Sequence, residues 1–159
     1  MMTPQLESPV ASGIGRRFVV VAARYNARFV EGLLEAVQTT LRAAAAPEPE
    51  ILRVPGSWEI PVTAAAVARR TSDRPDAILC LGVIWQGETA HAQYIGQAVS
   101  DALMRLAMET GIPVVHAVLS LSNEAQAVAR CLTPETNRGA EAARTALEMA
   151  ALLAATRPS

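Results

Sequence analysis

Short apolar runs alternate with longer four-residue stripes along this chain. Arg17 to Ala23 reads RFVVVAA, an apolar run rich in β-branched residues, the pattern of a strand buried on both faces. From Phe29 to Ala45, the residues Phe29, Leu33, Val37 and Leu41 recur every four positions, which is one stripe of a helix. Pro47 and Pro49 punctuate the loop that follows. Ile51 to Val54 reads as a second strand, and Pro55-Gly56 turns the chain into a helix from about Trp58 to Arg70. Pro61 falls in its first turn, where a missing N–H is tolerated. Ala77 to Trp85, AILCLGVIW, is a third strand, followed by Gln86-Gly87-Glu88-Thr89. A long helix runs from about His91 to Glu109 and ends at Gly111 and Pro113. Val114 to Leu119 is a fourth strand, and Ser122 or Asn123 caps a helix reaching about Arg130. Leu132 to Arg138, LTPETNR, is a loop before an Ala-rich helix from Gly139 to about Ala155.

Parallel strands need long crossovers, and here a helix stands between each strand and the next. The expected architecture is therefore an α/β, three-layer α/β/α sandwich with a four-stranded parallel sheet, flavodoxin-like in outline. Residues 1–16, with Pro4, Pro9 and small polar residues, read as a flexible N-terminal arm, and residues 17–159 as one domain. In such sheets ligands bind outside the carboxyl ends of the strands. That rule selects Arg24-Tyr25-Asn26, the run from Pro55 to Glu59, Trp85 to His91, and Ser120 to Ser122.

Composition narrows the field. Hydrophobic residues make up 51% of the 159 positions but aromatics only 4%, which suits small side chains packed between helices and a sheet. Charged residues, at 18%, fall below the usual quarter, so some outer face is expected to lie against another subunit. A formal net charge of −1 and the lack of a basic run exclude the electrostatic footprint of a nucleic-acid binder. No apolar segment reaches the roughly 18 residues of a membrane span, and the first residues lack the apolar core of a signal peptide. Cys80 and Cys131 lie far apart, Cys80 within an apolar run, so buried thiols are expected rather than a disulfide or metal ligands. Cytoplasm is the expected compartment.

Candidate chemistry falls in the selected segments. Gly87-Glu88-Thr89-Ala90-His91 forms a strand-to-helix turn, where unpaired N–H groups and the helix dipole favour an anion. Gly87 lets a phosphate come close, and the Thr89 hydroxyl adds a donor. The turn is not of Walker type, because GxxxxGK[ST] is absent. His91 lies in the first helical turn, and an imidazole can move protons at neutral pH; a lone histidine here would sooner be a helix cap, but the adjoining anion-binding turn favours the proton-transfer reading. Tyr25 just past a strand can stack on a planar heterocycle and Asn26 can bind its polar edges, or the two are a core lid and a turn former. Ser57 and Glu59 can hydrogen-bond a polyol, or serve as a helix cap and a dipole-stabilised acid. Arg130 and Arg138 flank the loop before the last helix, with guanidinium geometry suited to phosphate. His116, among Val114, Val115, Ala117 and Val118, reads as a packed strand histidine.

Taken together, VPGSWEIP (Val54 to Pro61), GETAH (Gly87 to His91) and NRGAEAARTALEMA (Asn137 to Ala150), in this order and spacing, resemble the lumazine synthase family. The resemblance runs from about Arg17 to Ala151. It implies a transferase of riboflavin biosynthesis that condenses 5-amino-6-ribitylaminopyrimidinedione with 3,4-dihydroxy-2-butanone 4-phosphate, with no metal or redox cofactor. It implies that Tyr25 stacks on the pyrimidine, and that Asn26, Ser57, Trp58, Glu59, Val83, Trp85 and His116 line the pyrimidine and ribityl subsite. Glu88, Thr89 and Arg130 match the phosphate site, His91 matches the proton-transfer histidine, and Arg138 stands where the family has a lysine close to the substrate. It further implies a homo-oligomer, a pentamer or a pentamer-based assembly, with each site between adjacent subunits, so that Arg130 and Arg138 reach a neighbour's pocket.

The sequence departs from the family at several of these points. His116 stands where many relatives have an aromatic, Trp85 and Gln86 stand at the residue before the phosphate turn and at a usual basic position, and Ser120-Leu121 replaces the usual threonine at the strand end. LTPETNR lacks the more usual Gly/Lys-rich spelling. These changes bear on affinity, turnover and assembly rather than on reaction class. They also define an alternative, a non-catalytic paralogue that binds flavin or lumazine or builds a shell. A flavodoxin-like electron carrier would want a Ser/Thr-rich phosphate loop after the first strand, and Arg24-Tyr25-Asn26-Ala27 is not one.

Overall fold

A computed structural model describes residues 9–87 and 89–158; Glu88 and the first eight residues, including Pro4 of the expected arm, lie outside the described residues. Four strands, β1 (Phe18–Ala23), β2 (Glu50–Val54), β3 (Ala77–Trp85) and β4 (Val114–Leu121), form one sheet in the order β2-β1-β3-β4. Every pairing is parallel. The helices are α1 (Ala27–Ala43), α2 (Ile60–Ala68), α3 (His91–Thr110), α4 (Glu124–Cys131) and α5 (Arg138–Thr156). The three-layer, flavodoxin-like sandwich expected from the alternation is what forms.

Strand periodicity divides the core in two. Phe18, Val20 and Ala22 of β1 and Leu79, Leu81 and Val83 of β3 pack with α1, α4 and α5. Val19, Val21 and Ala23, with Ile78, Cys80 and Ile84, pack with α2 and α3 on the other face. All six residues of β1 are buried, as a central strand covered on both sides requires. Each large aliphatic side chain so buried contributes about 1.5–3 kcal/mol of transfer free energy. The helix α1 turns Phe29, Leu33, Val37 and Leu41 inward as the four-residue stripe anticipates, with Val30 and Leu34 widening it.

Element ends differ from the sequence reading where local geometry decides them. The helix expected from Trp58 begins at Ile60, because Ser57–Glu59 forms a tighter 3-10 turn. Strand β4 runs on to Leu121 rather than Leu119, carried there by its pairing of Ser120 and Leu121 with Ile84 and Trp85 of β3. Gly111, with φ of 70°, ends α3 in the left-handed region and its N–H returns to Ala107 O. Asn123 caps α4 by accepting from Gln126 N at 2.9 Å. In the stretch read as an arm, the Gly13 N–H donates to Ala44 O at 2.8 Å.

Candidate active site

The carboxyl ends of β1 and β2 are joined beyond the sheet. Arg24 N donates to Val54 O at 2.7 Å and Tyr25 N to Pro55 O at 3.0 Å. This draws the Tyr25 ring over Gly56, where an added Cβ would meet Tyr25 Cδ2 at 2.8 Å. A larger residue there would push the Tyr25 ring aside. The ring is 71% exposed, and Trp58 two residues past Gly56 is 61% exposed. Aromatic faces this open at a strand terminus are available to a planar ligand.

Asn26 takes the left-handed conformation, φ 61° and ψ 43°, which asparagine tolerates better than most residues. Its carbonyl accepts from Phe29 N and Val30 N at 3.0 and 3.1 Å and so opens α1. Its side chain turns toward β3: Nδ2 donates to Val83 O at 2.8 Å, and Oδ1 accepts from Trp85 Nε1 at 2.9 Å. Val83 is buried and offers its carbonyl to Asn26. Trp85 lies edge-to-face on Phe29, ring centroids 5.6 Å apart at 82°.

The turn after Gly56 carries the next group. Gly56 N donates to Glu59 Oε2 at 3.0 Å while Glu59 N donates to Gly56 O at 3.2 Å. The N-cap is thus Gly56 and not Ser57, and one carboxylate oxygen of Glu59 is engaged in holding the turn. Ser57 is buried, and its hydroxyl lies against Gly82, where a Cβ would come within 2.6 Å of Ser57 Oγ. Helix α3 packs against this same turn. Thr89, and His91 at the start of that helix, are exposed. A Cβ on Gly87 would meet nothing within 4 Å, so the backbone of the turn is approachable.

The remaining candidates gather elsewhere in the same chain. His116, Ser120, Arg130 and Arg138 line a groove of about 660 Å³ over the outer edge of β4, closed by Glu141 and Met149 of α5. Arg138 is paired with Glu141 at 2.7 Å. His116 is not packed as a strand histidine: β4 is the edge strand, and its imidazole is exposed. His116 Nδ1 accepts from Val118 N at 3.1 Å, so the ring proton sits on Nε2, 2.8 Å from Ser100 Oγ, whose own hydroxyl donates to Gly96 O at 2.7 Å. Partial desolvation holds the His116 pKa below its ordinary value, against a smaller upward pull from the ring's contact with its own backbone. Gln86 links the two clusters: its N–H donates to Leu121 O at 2.8 Å, and its side chain hydrogen-bonds Ser120 Oγ.

Burial pushes the Cys80 thiol up to about 12 and Cys131 to about 11, and both are free, so neither is a nucleophile. Among the described residues, no three of His, Cys, Asp and Glu come together to hold a metal ion. Sequence reasoning gave Gly82, Phe29 and Ser100 no part in the site. An isolated glycine inside an apolar strand run is the one available signal of a close approach; Phe29 and Ser100 carry none, since their partners are set by packing between elements.

Residues 15–154 match the family model for 6,7-dimethyl-8-ribityllumazine synthase. Curated relatives carry the same name. The protein of Halorhodospira halophila is 40% identical over 86% of this chain and 88% of its own. That of Kineococcus radiotolerans is 38% identical over 98% and 94%, and that of Leifsonia xyli 42% identical over 91% and 90%.

Proposed function

The chain belongs to the 6,7-dimethyl-8-ribityllumazine synthase family, and we propose that this transferase of riboflavin biosynthesis works at the rim formed by the carboxyl ends of β1, β2 and β3. The observation that carries the reading is the grouping there of Tyr25, Asn26, Ser57, Trp58 and Glu59, with α3 packed against the Ser57–Glu59 turn. Tyr25 offers a flat face to 5-amino-6-ribitylaminopyrimidinedione, Asn26 a polar edge, and Ser57 and Glu59 oxygens for the ribityl hydroxyls. Trp58 and Val83 complete this subsite, and Trp85 contributes to it through its bond to Asn26.

The second substrate is 3,4-dihydroxy-2-butanone 4-phosphate. The turn Gly87–Thr89, Glu88 included, holds its phosphate at the unpaired N–H groups of α3, with a guanidinium from Arg130. The pyrimidine amine attacks the ketone and water leaves to give a Schiff base. Phosphate is then eliminated, and attack of the ribitylamino nitrogen closes the ring with loss of a second water. The steps are additions of an amine to a carbonyl, proton transfers, and the loss of water or phosphate. The protein contributes chiefly by holding the two reactants together, worth up to about 10⁵–10⁸ M in effective molarity. His91 moves protons, and Arg130 with the turn stabilises the departing anion.

Arg130, Arg138 and His116 line the outer edge of β4 in the same chain rather than the rim. This supports a homo-oligomer, a pentamer or a pentamer-based assembly, in which the β4 groove of one subunit completes the rim of the next. The two free buried cysteines suit a reducing compartment, and we place the enzyme in the cytoplasm. Mixing both substrates with the purified protein and following lumazine fluorescence tests the activity; no product with intact substrates overturns it. A monomer by light scattering at working concentration overturns the shared site.

A further inference from the structure

We propose that Trp85 is a positioning residue that sets the direction of the Asn26 side-chain amide, and through it the polarity the site presents to a pyrimidine edge. The inference rests on the assignment of Asn26 to the pyrimidine subsite.

The oxygen and nitrogen of an asparagine amide have nearly the same size, so surrounding hydrogen bonds alone decide which is which. Here both neighbours are single-minded. The Trp85 indole is a donor only, and the Val83 carbonyl is an acceptor only. Indole N–H to Oδ1 at 2.9 Å and Nδ2 to carbonyl at 2.8 Å therefore demand the same orientation. Turning the amide over would set N–H against N–H and oxygen against oxygen, losing both bonds at once. With Trp85 present, one N–H and one lone pair of the Asn26 amide have no partner among the described residues, each on a fixed side. That is a donor beside an acceptor, the complement of the alternating carbonyl and N–H groups of a pyrimidinedione. A flipped amide would be mismatched at both positions.

Trp85 is itself held. It is the last residue of β3, and the next residue, Gln86, is bonded to Leu121 O of β4. Its ring meets the edge of Phe29, which is buried in α1. The indole is 37% exposed, so Trp85→Phe leaves no closed cavity. Phenylalanine keeps a ring facing Phe29 while removing the N–H together with part of the fused ring. The Val83 carbonyl then remains as the lone orienting partner.

Steady-state kinetics on the oligomeric enzyme tests this with Trp85→Phe, Asn26→Ala and the double variant. In Trp85→Phe, KM for the pyrimidine should rise about tenfold, the scale of one lost orienting hydrogen bond. Its kcat should change less than about twofold, and KM for the sugar phosphate should hold. The double variant should match Asn26→Ala, because Trp85 acts through Asn26. Wild type should also bind a pyrimidinedione more tightly than its amino-substituted, reversed-polarity analogue, and Trp85→Phe should narrow that gap. Additive effects of the two substitutions, or an unchanged gap, overturn the positioning role while the activity stands. A wild-type protein that makes no lumazine overturns the function and this inference with it.

Discussion

Ser100 of α3 and His116 of β4 share a 2.8 Å hydrogen bond across the outer edge of the sheet. Because Val118 N–H occupies Nδ1, protonating that nitrogen would set donor against donor, and partial desolvation opposes the charge as well.

The folded protein therefore takes up this proton at a lower pH than the unfolded chain does. The stabilising contribution of neutral His116 is fully present above about 6.5, the unfolded value. It is lost as pH falls from there through the depressed folded value. Denaturant midpoints measured from pH 7.5 down to pH 5 should drop less in His116→Gln than in wild type. Equal slopes would show that His116 titrates normally.

Gly82→Ala should damage the site from within the sheet. A Cβ there meets Ser57 Oγ at 2.6 Å and Ile60 Cδ1 and Val118 Cγ1 at 3.3 Å. Overpacking of this kind costs about 1–3 kcal/mol and pushes the Ser57–Glu59 turn outward. The melting temperature should fall and KM for the pyrimidine should rise. A stable variant with unaltered KM would mean that Ser57 is not held by this contact.

His91→Ala should slow turnover between severalfold and about a hundredfold without abolishing it, since acid–base help is worth about 10² or more and positioning survives. His91 is exposed at the start of α3, so stability should be unaffected. Single-turnover rates check this, and an unchanged rate removes His91 from the mechanism.

Arg130→Ala should raise KM for the sugar phosphate by about tenfold or more, the scale of one charge-assisted bond. KM for the pyrimidine should stay within about twofold. Mixed oligomers of Arg130→Ala with Tyr25→Ala subunits offer a second check: if the β4 groove completes a neighbour's rim, some sites regain both residues and activity. Inactive mixtures would place both residues in one subunit's site.

The two thiols should resist an aromatic disulfide reagent in the native protein and both react after unfolding, because each is buried with a raised pKa. Rapid reaction of either in the native state would contradict that burial.

Much of this was legible in particular residues. The run FVVVAA, buried at all six positions, and the stripe Phe29, Leu33, Val37, Leu41 carry their burial in their spacing. The segments around Ser57–Glu59 and His91 identify the family. The 3-10 turn at Ser57–Glu59 was not legible, since a Gly56–Glu59 bond can open either kind of helix. Nor was the partner of the Trp85 indole, because Asn26 lies 59 residues away.

Sequence by itself determined the strand and helix alternation, the faces each element buries, and the family, all of which depend on residue type and spacing along the chain. Only the tertiary structure decided that β4 lies at the sheet edge, that His116 is therefore open, and that the candidate residues divide between a rim and a groove. Strand order is a relation between distant segments: hydrophobic periodicity says that a strand has two covered faces, but not whether another strand lies along its edge.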